Sequence, residues 1–271
     1  MSPTTNAPIH WEVEAVRYGT YPSTRGALVL QHGAYGEPDA PQTLDYFFYV
    51  LRGGGRTVVV DTGFSAAVGT GRGRTCLVDP VDALGRLGVD PGTVDTLLIS
   101  HLHYDHIGNL ARFSRAKIVV PATELAFWTS PVARHAPFWA HTDPAGLEAL
   151  QAAVDEGRVT AVGATARVAP GITMLEVGGH SPGQAMLLVQ TAGRPVLLCS
   201  DAVHLYEELS ARRPFAVVAD LPAMYAGYDL VDALAADLGC VVVPGHDPLV
   251  ATRFPPSARD SVAVRLDPVT P

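Results

Sequence analysis

The chain has 271 residues, of which 48% are hydrophobic and 17% charged, so it can bury a sizeable apolar core as one large domain or two small ones. Its 19 basic and 27 acidic residues give a net charge of −8, and the absence of any Lys and Arg cluster argues against a nucleic-acid partner. No apolar stretch is long enough to span a bilayer and residues 1–8 are neither basic nor apolar, so we expect a cytoplasmic protein without a membrane partner.

The cysteines are few, odd in number and far apart along the chain. Cys76, Cys199 and Cys240 lie among apolar or small residues, so we expect reduced core thiols and no disulfide framework. Cys199 lies two residues before Asp201 on an apolar strand, which favours an inert thiol over a reactive one.

The first part of the chain predicts strands. Residues 11–18 alternate between apolar and polar side chains, as an amphipathic strand does. Residues 45–51 and 57–60 are rich in strand formers and are joined by three glycines, so they predict a β-hairpin. The second strand runs into Asp61, Thr62 and Gly63. Asp61 either closes the strand in an Asx-type turn or supports a metal ligand from behind.

Helices and strands are predicted in turn through the middle of the chain. A helix over residues 79–87 ends at Gly88, and an apolar strand over residues 94–99 follows it. Another strand is predicted over residues 116–120, and Pro121 ends it.

Two further helices are predicted over residues 123–128 and 144–156, the second with a stop at Gly157. The aromatic side chains in and after the first of them either pack between the two helices or form the apolar wall of a pocket. These side chains are Phe127, Trp128, Phe138 and Trp139. Strands are expected to return from Val168 onwards, over residues 172–177, 186–190, 195–200 and 241–243.

Residues 100–108 read Ser-His-Leu-His-Tyr-Asp-His-Ile-Gly, directly after the strand predicted over residues 94–99. Three imidazoles and a carboxylate within six positions are hard to explain by packing, because each must be desolvated and hydrogen-bonded when buried. They are easily explained as metal ligands. His101 and His103 project to the same side of an extended segment, and Asp105 and His106 lie about a turn further on, which suits two metals side by side.

Three later strand ends each supply another ligand type. His180 lies in a glycine-rich turn after residues 172–177, Asp201 follows residues 195–200, and His246 follows residues 241–243. One such residue alone is more often a core or turn group than a ligand. Together with the first cluster, the three indicate a metal site.

With these motifs the chain resembles the metallo-β-lactamase superfamily, from about residue 46 to residue 246. The matching residues, in the family's order, are Asp61-Thr62-Gly63, His101-Leu102-His103-Tyr104-Asp105-His106, His180, Asp201 and His246. The resemblance implies one α+β domain over residues 1–271, an αββα sandwich of two facing mixed sheets flanked by helices. By position, it implies that His101, His103 and His180 hold one ion, that Asp105, His106 and His246 hold another, and that Asp201 bridges both.

The chemistry of these ligands agrees with a hydrolase. Seven nitrogen and oxygen ligands without a thiolate suit two divalent first-row ions, with Zn²⁺ as the expected metal. Coordination lowers the pKa of water from about 15.7 to about 7, so a hydroxide bridging two such ions can attack an ester at neutral pH. We expect the reaction to proceed without a serine or cysteine nucleophile.

Within the superfamily, the motifs most resemble the quorum-quenching N-acyl-homoserine lactonases and relatives such as pyridoxolactonases. His103 stands where flavodiiron proteins carry a glutamate, and Asp201 stands where the best-known zinc β-lactamases carry a cysteine. The acidic charge argues against the nuclease branch. A glyoxalase II would add a C-terminal helical region, whereas only about 25 residues follow His246. We therefore expect a small-molecule lactone or ester substrate.

One position departs from the lactonase pattern. Those lactonases commonly carry a tyrosine three residues after the bridging aspartate, proposed to hydrogen-bond the substrate carbonyl, and this chain has His204 there and Tyr206 two residues further on. We expect His204 or Tyr206 to stabilise the tetrahedral oxyanion, although His204 can equally support a ligand or begin a helix. Asp105 or Asp201 is expected to handle the proton of the leaving alkoxide.

Three other functions stay open: a mononuclear iron dioxygenase or a thioester or ester hydrolase of the same superfamily, and a binding or cyclising protein that has lost hydrolysis. The remaining histidines match no motif and are expected at the surface or with satisfied hydrogen bonds. His135 and His141, however, flank the aromatic segment and are candidates for a pocket entrance. A homodimer is expected by analogy with related lactonases. The remaining histidines are His10, His32, His135 and His141.

Overall fold

A computed structural model describes residues 9–267, so the expectations for residues 1–8 lie outside the described part of the chain. The strands are β1 (Glu12–Thr24), β2 (Pro41–Gly53), β3 (Arg56–Val60), β4 (Thr75–Cys76), β5 (Thr96–Leu98), β6 (Lys117–Pro121), β7 (Val159–Val162), β8 (Thr165–Ala169), β9 (Ile172–Glu176), β10 (Ala185–Val189), β11 (Val196–Ser200), β12 (Val241–Pro244) and β13 (Ala263–Arg265). The α-helices are α1 (Arg25–Leu28), α2 (Ala66–Gly71), α3 (Pro80–Arg86), α4 (Tyr104–Ile107), α5 (Ala122–Trp128), α6 (Ala136–Trp139), α7 (Pro144–Asp155), α8 (Tyr206–Ala211), α9 (Leu221–Leu238) and α10 (Val250–Arg253).

The first sheet has the strand order β13-β1-β2-β3-β5-β6-β7, with β4 paired to β1. Its β13, β1, β2 and β3 pair antiparallel, whereas β3, β5, β6 and β7 pair in parallel. The predicted hairpin is confirmed as β2 and β3. Gly54 and Gly55 turn it with φ values of 56° and 72°, a conformation that glycine adopts without steric cost.

The second sheet has the strand order β12-β11-β10-β9-β8. Its strands pair antiparallel except for β11 and β12, which are parallel. Both sheets are therefore mixed. The carboxyl ends of β3 and β5 in the first sheet, and of β11 and β12 in the second, lead directly into the segments that carry the predicted ligands.

Side chains of β2 alternate between two buried clusters, as the period of a strand requires. Tyr49 and Leu51 belong to a cluster between the two sheets, and Phe48 and Val50 to a cluster on the outer face of the first sheet. The cluster between the sheets also contains Val13, Val58, Leu98, Met174, Leu187, Leu198 and Val243.

Helices cover the outer faces of both sheets. Leu84 of α3 and Leu150 of α7 pack in the cluster outside the first sheet. Met224 and Tyr228 of α9 pack with Leu197 outside the second sheet. The order of layers is thus helix, sheet, sheet, helix, which confirms the predicted αββα sandwich.

The helices predicted over residues 79–87, 123–128 and 144–156 form as α3, α5 and α7. Asp79 caps α3 by accepting a hydrogen bond from the backbone N–H of Val81. The strand near Pro121 is also confirmed, with the proline as its last residue. No helix within residues 9–267 combines the length and apolarity needed to cross a membrane.

The strands predicted over residues 172–177, 186–190, 195–200 and 241–243 form as β9, β10, β11 and β12, but the expectation that strands return only at Val168 was wrong. β7 and β8 begin earlier, and most of their side chains are partly or fully exposed, so their sequences lack the apolar run that marks a buried strand. The helix α9 was also missed. Its boundary signals are present, because Asp220 accepts a hydrogen bond from the backbone N–H of Ala223 and Gly239 ends the helix with φ of 60°.

Candidate metal centre

His101, His103 and His180 come together at one edge of the sandwich. The first two follow β5, and His180 lies in the turn between β9 and β10. All three are buried, and each offers a ring nitrogen within 4.8 Å of the other two. The Nδ1 atom of His103 lies 2.8 Å from the Nε2 atom of His180. This is the first predicted group of ligands.

The second group consists of Asp105, His106, His246 and Asp201, which are also buried and mutually within 4.8 Å. Asp105 and His106 lie in α4, a single turn that begins directly after His103. The Oδ2 atom of Asp105 lies 3.7 Å from the Nε2 atoms of both His106 and His246. The structure thus brings together all seven side chains predicted to hold metal.

Asp201 lies between the two groups and presents one carboxylate oxygen to each. Its Oδ2 atom lies 3.3 Å from Nε2 of His180 and 3.8 Å from Nε2 of His101. Its Oδ1 atom lies 3.3 Å from Nε2 of His106 and 3.1 Å from Nε2 of His246. This is the position that a bridging carboxylate requires.

Two observations show that the cluster suits divalent cations. The Nε2 atoms of His101 and His106 are buried and have no hydrogen-bond partner within residues 9–267, although both point into the cluster. Such an unpaired buried nitrogen is costly unless something outside the chain binds it. The donors are all nitrogen or oxygen, which zinc and similar first-row ions accept.

Electrostatics keep most of the imidazoles ready to bind a cation. Burial lowers the pKa of His101, His103 and His180 well below the usual range, so these rings are neutral near pH 7 and offer a lone pair. His106 behaves differently. Burial lowers its pKa, but the nearby carboxylates, Asp201 foremost, outweigh that effect and raise it.

Groups behind the ligands fix their orientation. The Oδ2 atom of Asp61 lies 2.8 Å from Nδ1 of His106, so the structure places Asp61 behind a predicted ligand, one of the two roles left open for it. Asp61 holds this position with φ of 60°, a left-handed conformation that is uncommon for residues other than glycine. The backbone oxygens of Val217 and Asp45 lie 2.9 Å from Nδ1 of His180 and of His246, respectively.

Glu124 is a buried group that sequence reasoning missed. Its Oε1 atom accepts hydrogen bonds from the backbone N–H of Leu102 at 2.9 Å and from Nε1 of Trp128 at 2.7 Å. Its Oε2 atom accepts one from the backbone N–H of Gly183 at 2.8 Å, and both oxygens lie within 2.7 Å of Oγ of Ser181. Glu124 therefore ties the loop of His101 and His103 to the turn of His180. No motif surrounds it in the sequence.

His204 lies in the cluster, as expected from its position after Asp201. Its Nε2 atom is 3.2 Å from Oδ2 of Asp201, and its Nδ1 atom is 3.5 Å from Oε1 of Glu208. The ring stacks on Phe215 with 3.8 Å between centroids. Burial lowers the pKa of His204, but Asp201 and Glu208 outweigh it and raise the pKa to about 9. His204, Asp201 and His180 also form a third group of mutually close donors.

The structure does not bring Tyr206 to the cluster. Its hydroxyl lies 3.3 Å from the backbone oxygen of Val242, and the guanidinium carbon of Arg253 lies 4.1 Å from its ring centroid. It lines neither of the cavities that adjoin the ligands. Of the two side chains considered as oxyanion donors, only His204 lies beside the predicted ligands.

Two cavities adjoin the predicted ligands and share His103, His141, His180 and Val217. The smaller has a volume of about 90 Å³ and contains Asp105, Asp201 and His204 among its lining residues. The larger has a volume of about 360 Å³ and is lined by Phe127, Trp128, Pro137, Phe138, Val217 and Val218, among others. His141 thus lines the site, whereas His135 is exposed and lines neither cavity.

The aromatic segment serves both of the roles considered for it. Phe127 and Phe138 pack edge to face with 5.0 Å between centroids and form part of the wall of the larger cavity. Trp139 lies instead in the groove between α5 and α7, where the guanidinium of Arg134 covers its ring. The segment is therefore partly helix packing and partly cavity wall.

The prediction for the cysteines is confirmed, whereas the prediction for His10 and His32 is only half right. All three cysteines are free, as expected, and burial raises the pKa of Cys199, which keeps it an inert thiol. His10 is exposed, as expected, but His32 is not, because it is buried and its Nε2 atom has no hydrogen-bond partner within residues 9–267.

Fold and site together define a class, the αββα sandwiches with histidine and aspartate ligands gathered at one sheet edge. A family model described as the metallo-β-lactamase superfamily matches residues 43–246 of this chain. The chain therefore belongs to the metallo-β-lactamase superfamily.

Several curated relatives carry the name N-acyl homoserine lactonase. One from Bacillus sp is 28% identical over 184 residues, which cover 61% of this chain and 66% of the relative. Another, from Rhizobium radiobacter, is 28% identical over 220 residues, which cover 74% of this chain and 81% of the relative. The match to a Bacillus thuringiensis relative covers 49% of that protein, so the chain spans about half to two thirds of the length of these Bacillus relatives.

Solved structures share the fold. A quorum-quenching N-acyl homoserine lactone lactonase superposes with a TM-score of 0.72 at 20% identity, covering 90% of this chain and 94% of that one. A dizinc quorum-quenching lactonase with a bound product superposes with a TM-score of 0.71 at 16% identity, covering 89% of each chain.

Proposed function

We propose that this protein is a dinuclear metal-dependent hydrolase that opens N-acyl-homoserine lactones or related lactones and esters. The observation that carries the proposal is the position of Asp201, which offers one oxygen to each of two groups of buried ligands. The names of the curated relatives support the lactone as substrate. We also propose that residues 1–271 act as a single hydrolase domain.

His101, His103 and His180 would hold one ion, and Asp105, His106 and His246 the other, with Asp201 shared between them. Two divalent ions bound there would supply a nucleophilic hydroxide at neutral pH and would polarise the ester carbonyl. We propose Zn²⁺ as the metal, because the donors are imidazoles and carboxylates and a dizinc lactonase shares the fold.

His204 would stabilise negative charge on the carbonyl oxygen. His204 lines the small cavity, its Nε2 atom lies 3.2 Å from Oδ2 of Asp201, and stacking on Phe215 limits rotation of its ring. The ring can donate a hydrogen bond to that oxygen as imidazole or as imidazolium. Asp105 and Asp201 line the same cavity, and either would pass a proton to the leaving alkoxide.

The mononuclear iron dioxygenase alternative is not favoured. A protein that uses one metal has no need of a complete second set of donors, yet Asp105, His106 and His246 converge with Asp201 within 4.8 Å. For compartment and assembly we propose a cytoplasmic homodimer. Three free cysteines fit a reducing compartment, and light scattering of the purified protein tests the dimer.

The test combines elemental analysis of the purified protein with a pH-indicator assay on N-hexanoyl-homoserine lactone, an aryl ester and a thioester. We expect about two zinc ions per chain and acid release from the lactone. Removal of the metals with a chelator should abolish that activity, and added zinc should restore it. One iron per chain with oxygen consumption, or two metals without hydrolysis of any of these substrates, would contradict the proposal.

A further inference from the structure

A cationic side chain lines the small cavity together with the predicted ligands. Arg74 lies in the loop between α2 and β4, and its Nε atom donates to the hydroxyls of Tyr46 at 3.2 Å and Tyr104 at 3.1 Å. Its guanidinium carbon lies 4.0 Å from the ring centroid of Tyr21. Three tyrosines therefore hold the guanidinium in one place beside the ligand cluster.

The charge of Arg74 lacks an ion-pair partner in the described part of the chain, although Asp105 and Asp201 line the same cavity. No carboxylate within residues 9–267 forms an ion pair with it, whereas Arg17 pairs with Asp45 and Arg25 pairs with Glu207. Its Nη1 atom donates to the backbone oxygen of Arg72, and its Nη2 atom makes no hydrogen bond within the described residues. Burying part of a charge costs free energy that tyrosine hydroxyls and a cation–π contact offset incompletely. An anion entering the cavity would complete the site.

We propose that Arg74 binds a carboxylate on the substrate, so that the preferred substrates are lactones or esters with an anionic substituent. The inference rests on the proposed hydrolase function. Planar carboxylates match the fork of a guanidinium, and such charge-assisted hydrogen bonds are stronger than neutral ones.

The shape of the two cavities fits this substrate. The cavity of Arg74 is small, about 90 Å³, and its other walls include the apolar side chains of Leu28, Leu44 and Phe215. A short charged substituent fits there, and the only cationic lining side chain other than histidine is Arg74. The larger cavity, about 360 Å³ and walled by Phe127 and Phe138, lies across His103 and His180 and suits the apolar part of the molecule.

The test compares γ-butyrolactones that carry either a carboxylate or a carboxamide at the same ring position. With the zinc-loaded full chain, we expect kcat/KM for the carboxylate to exceed that for the carboxamide by about tenfold or more. Arg74→Gln should lower kcat/KM for the carboxylate by about 10-fold to 100-fold and change that for the carboxamide by less than about threefold. Arg74→Lys, which keeps the charge without the planar fork, should fall between the two.

Arg56→Gln is the matched control, because it removes the same charge from an exposed position on the β2–β3 hairpin. It should leave the preference for the carboxylate unchanged. The melting temperatures of the variants show whether Arg74 is needed for folding. Calorimetric binding of the two ring-opened products to wild type and Arg74→Gln gives a second measurement that does not depend on turnover.

The outcomes separate this inference from the proposed function. Equal kcat/KM for the two lactones in wild type, or equal losses on both in Arg74→Gln, would overturn the anion site and leave Arg74 as a brace for its loop. If zinc-loaded wild type hydrolyses neither lactone, the proposed function fails for this class. In that case the calorimetric measurement still tests the anion site. The site is supported if wild type binds the ring-opened carboxylate more tightly than the carboxamide and Arg74→Gln loses that preference.

Discussion

The ligand cluster and the walls of the cavities beside it are built in different ways. Each predicted ligand follows the end of a strand or lies in the turn after it, and several have a second partner behind the ring, as His106 has in Asp61. Most of the wall residues come from loops and short helices, although Leu44 and Tyr46 of β2 also line the small cavity. Arg74 precedes the two-residue strand β4, and Phe138 lies in the four-residue helix α6.

This difference suggests that the ligand cluster carries out the reaction and that the cavity walls select the substrate. Strands packed on both faces hold the ligands within a fraction of an ångström, which the reaction needs. Loop side chains can change without disturbing the sheets, so they can fit one substrate or another. We therefore expect substitutions in the cluster to abolish metal binding or catalysis, and substitutions in the walls to alter preference between substrates.

The strongest test removes the bridging carboxylate. Asp201→Asn should lower lactone hydrolysis by about a thousandfold or more, since shared stabilisation by the two ions amounts to several kcal/mol. It should also lower the metal content below two ions per chain. The matched control is Asp229→Asn, whose side chain is 78% exposed and pairs only at the surface with Arg212. If Asp201→Asn keeps two ions per chain and more than a tenth of the wild-type activity, the ligand cluster is not what determines metal binding and catalysis.

Substitutions of His204 test whether this residue is a metal ligand or a side chain of the cavity wall. His204→Phe keeps the stack on Phe215 but removes both ring nitrogens, and we expect kcat to fall by about 100-fold to 1000-fold with two ions still bound. His204→Tyr restores a hydroxyl on a ring of the same size and should recover part of the loss. Kinetics and elemental analysis of both variants decide the question. If His204→Phe instead loses a metal ion, His204 is a ligand, as its closeness to Asp201 and His180 would allow.

The same contrast explains what could be read from the sequence. Residues 101–106 carry four predicted ligands within six positions, and His180, Asp201 and His246 each follow an apolar run, so local patterns were enough to predict the seven side chains that the structure brings together. The sandwich was implied by the family resemblance. The hairpin of β2 and β3 was visible because three glycines separate two apolar runs.

The rest depends on contacts between distant parts of the chain. Glu124 meets Ser181 and Gly183 only after the two sheets have packed, and no motif around it indicates that contact. Arg74 is one unpatterned arginine in a loop until Tyr46 and Tyr104 converge on it. Tyr206 was considered because of its position in the sequence, but α8 begins there and directs its hydroxyl to Val242.

Asp61 lies behind the ligand cluster, so its loss should lower the affinity for metal ions without changing the preference between substrates. Asp61→Asn keeps the size of the side chain but removes the charge 2.8 Å from Nδ1 of His106. We expect metal affinity to fall by about 10-fold to 100-fold, as is typical for partners of metal-bound histidines. Competition with a coloured chelator measures the affinity. With saturating zinc, the ratio of kcat/KM between two lactones should match wild type, and a changed ratio would contradict the division between cluster and wall.

Phe138→Ala has the smallest expected effect, and it should change substrate preference without changing metal binding, which is the reverse of Asp61→Asn. Phe138→Ala removes a half-buried ring from the larger cavity and its edge-to-face contact with Phe127. We expect kcat/KM for N-decanoyl-homoserine lactone to fall by about tenfold, because about 1–2 kcal/mol of apolar contact is lost. The value for the N-butanoyl lactone, whose chain is too short to need that wall, should change little, and metal content should stay at two ions. Val132→Ala, on the preceding turn but 50% exposed and outside the cavity, is the matched control. An equal loss of kcat/KM on both lactones would mean that Phe138 holds His141 and the neighbouring loop in place. This wall would then contribute to catalysis and not only to substrate preference.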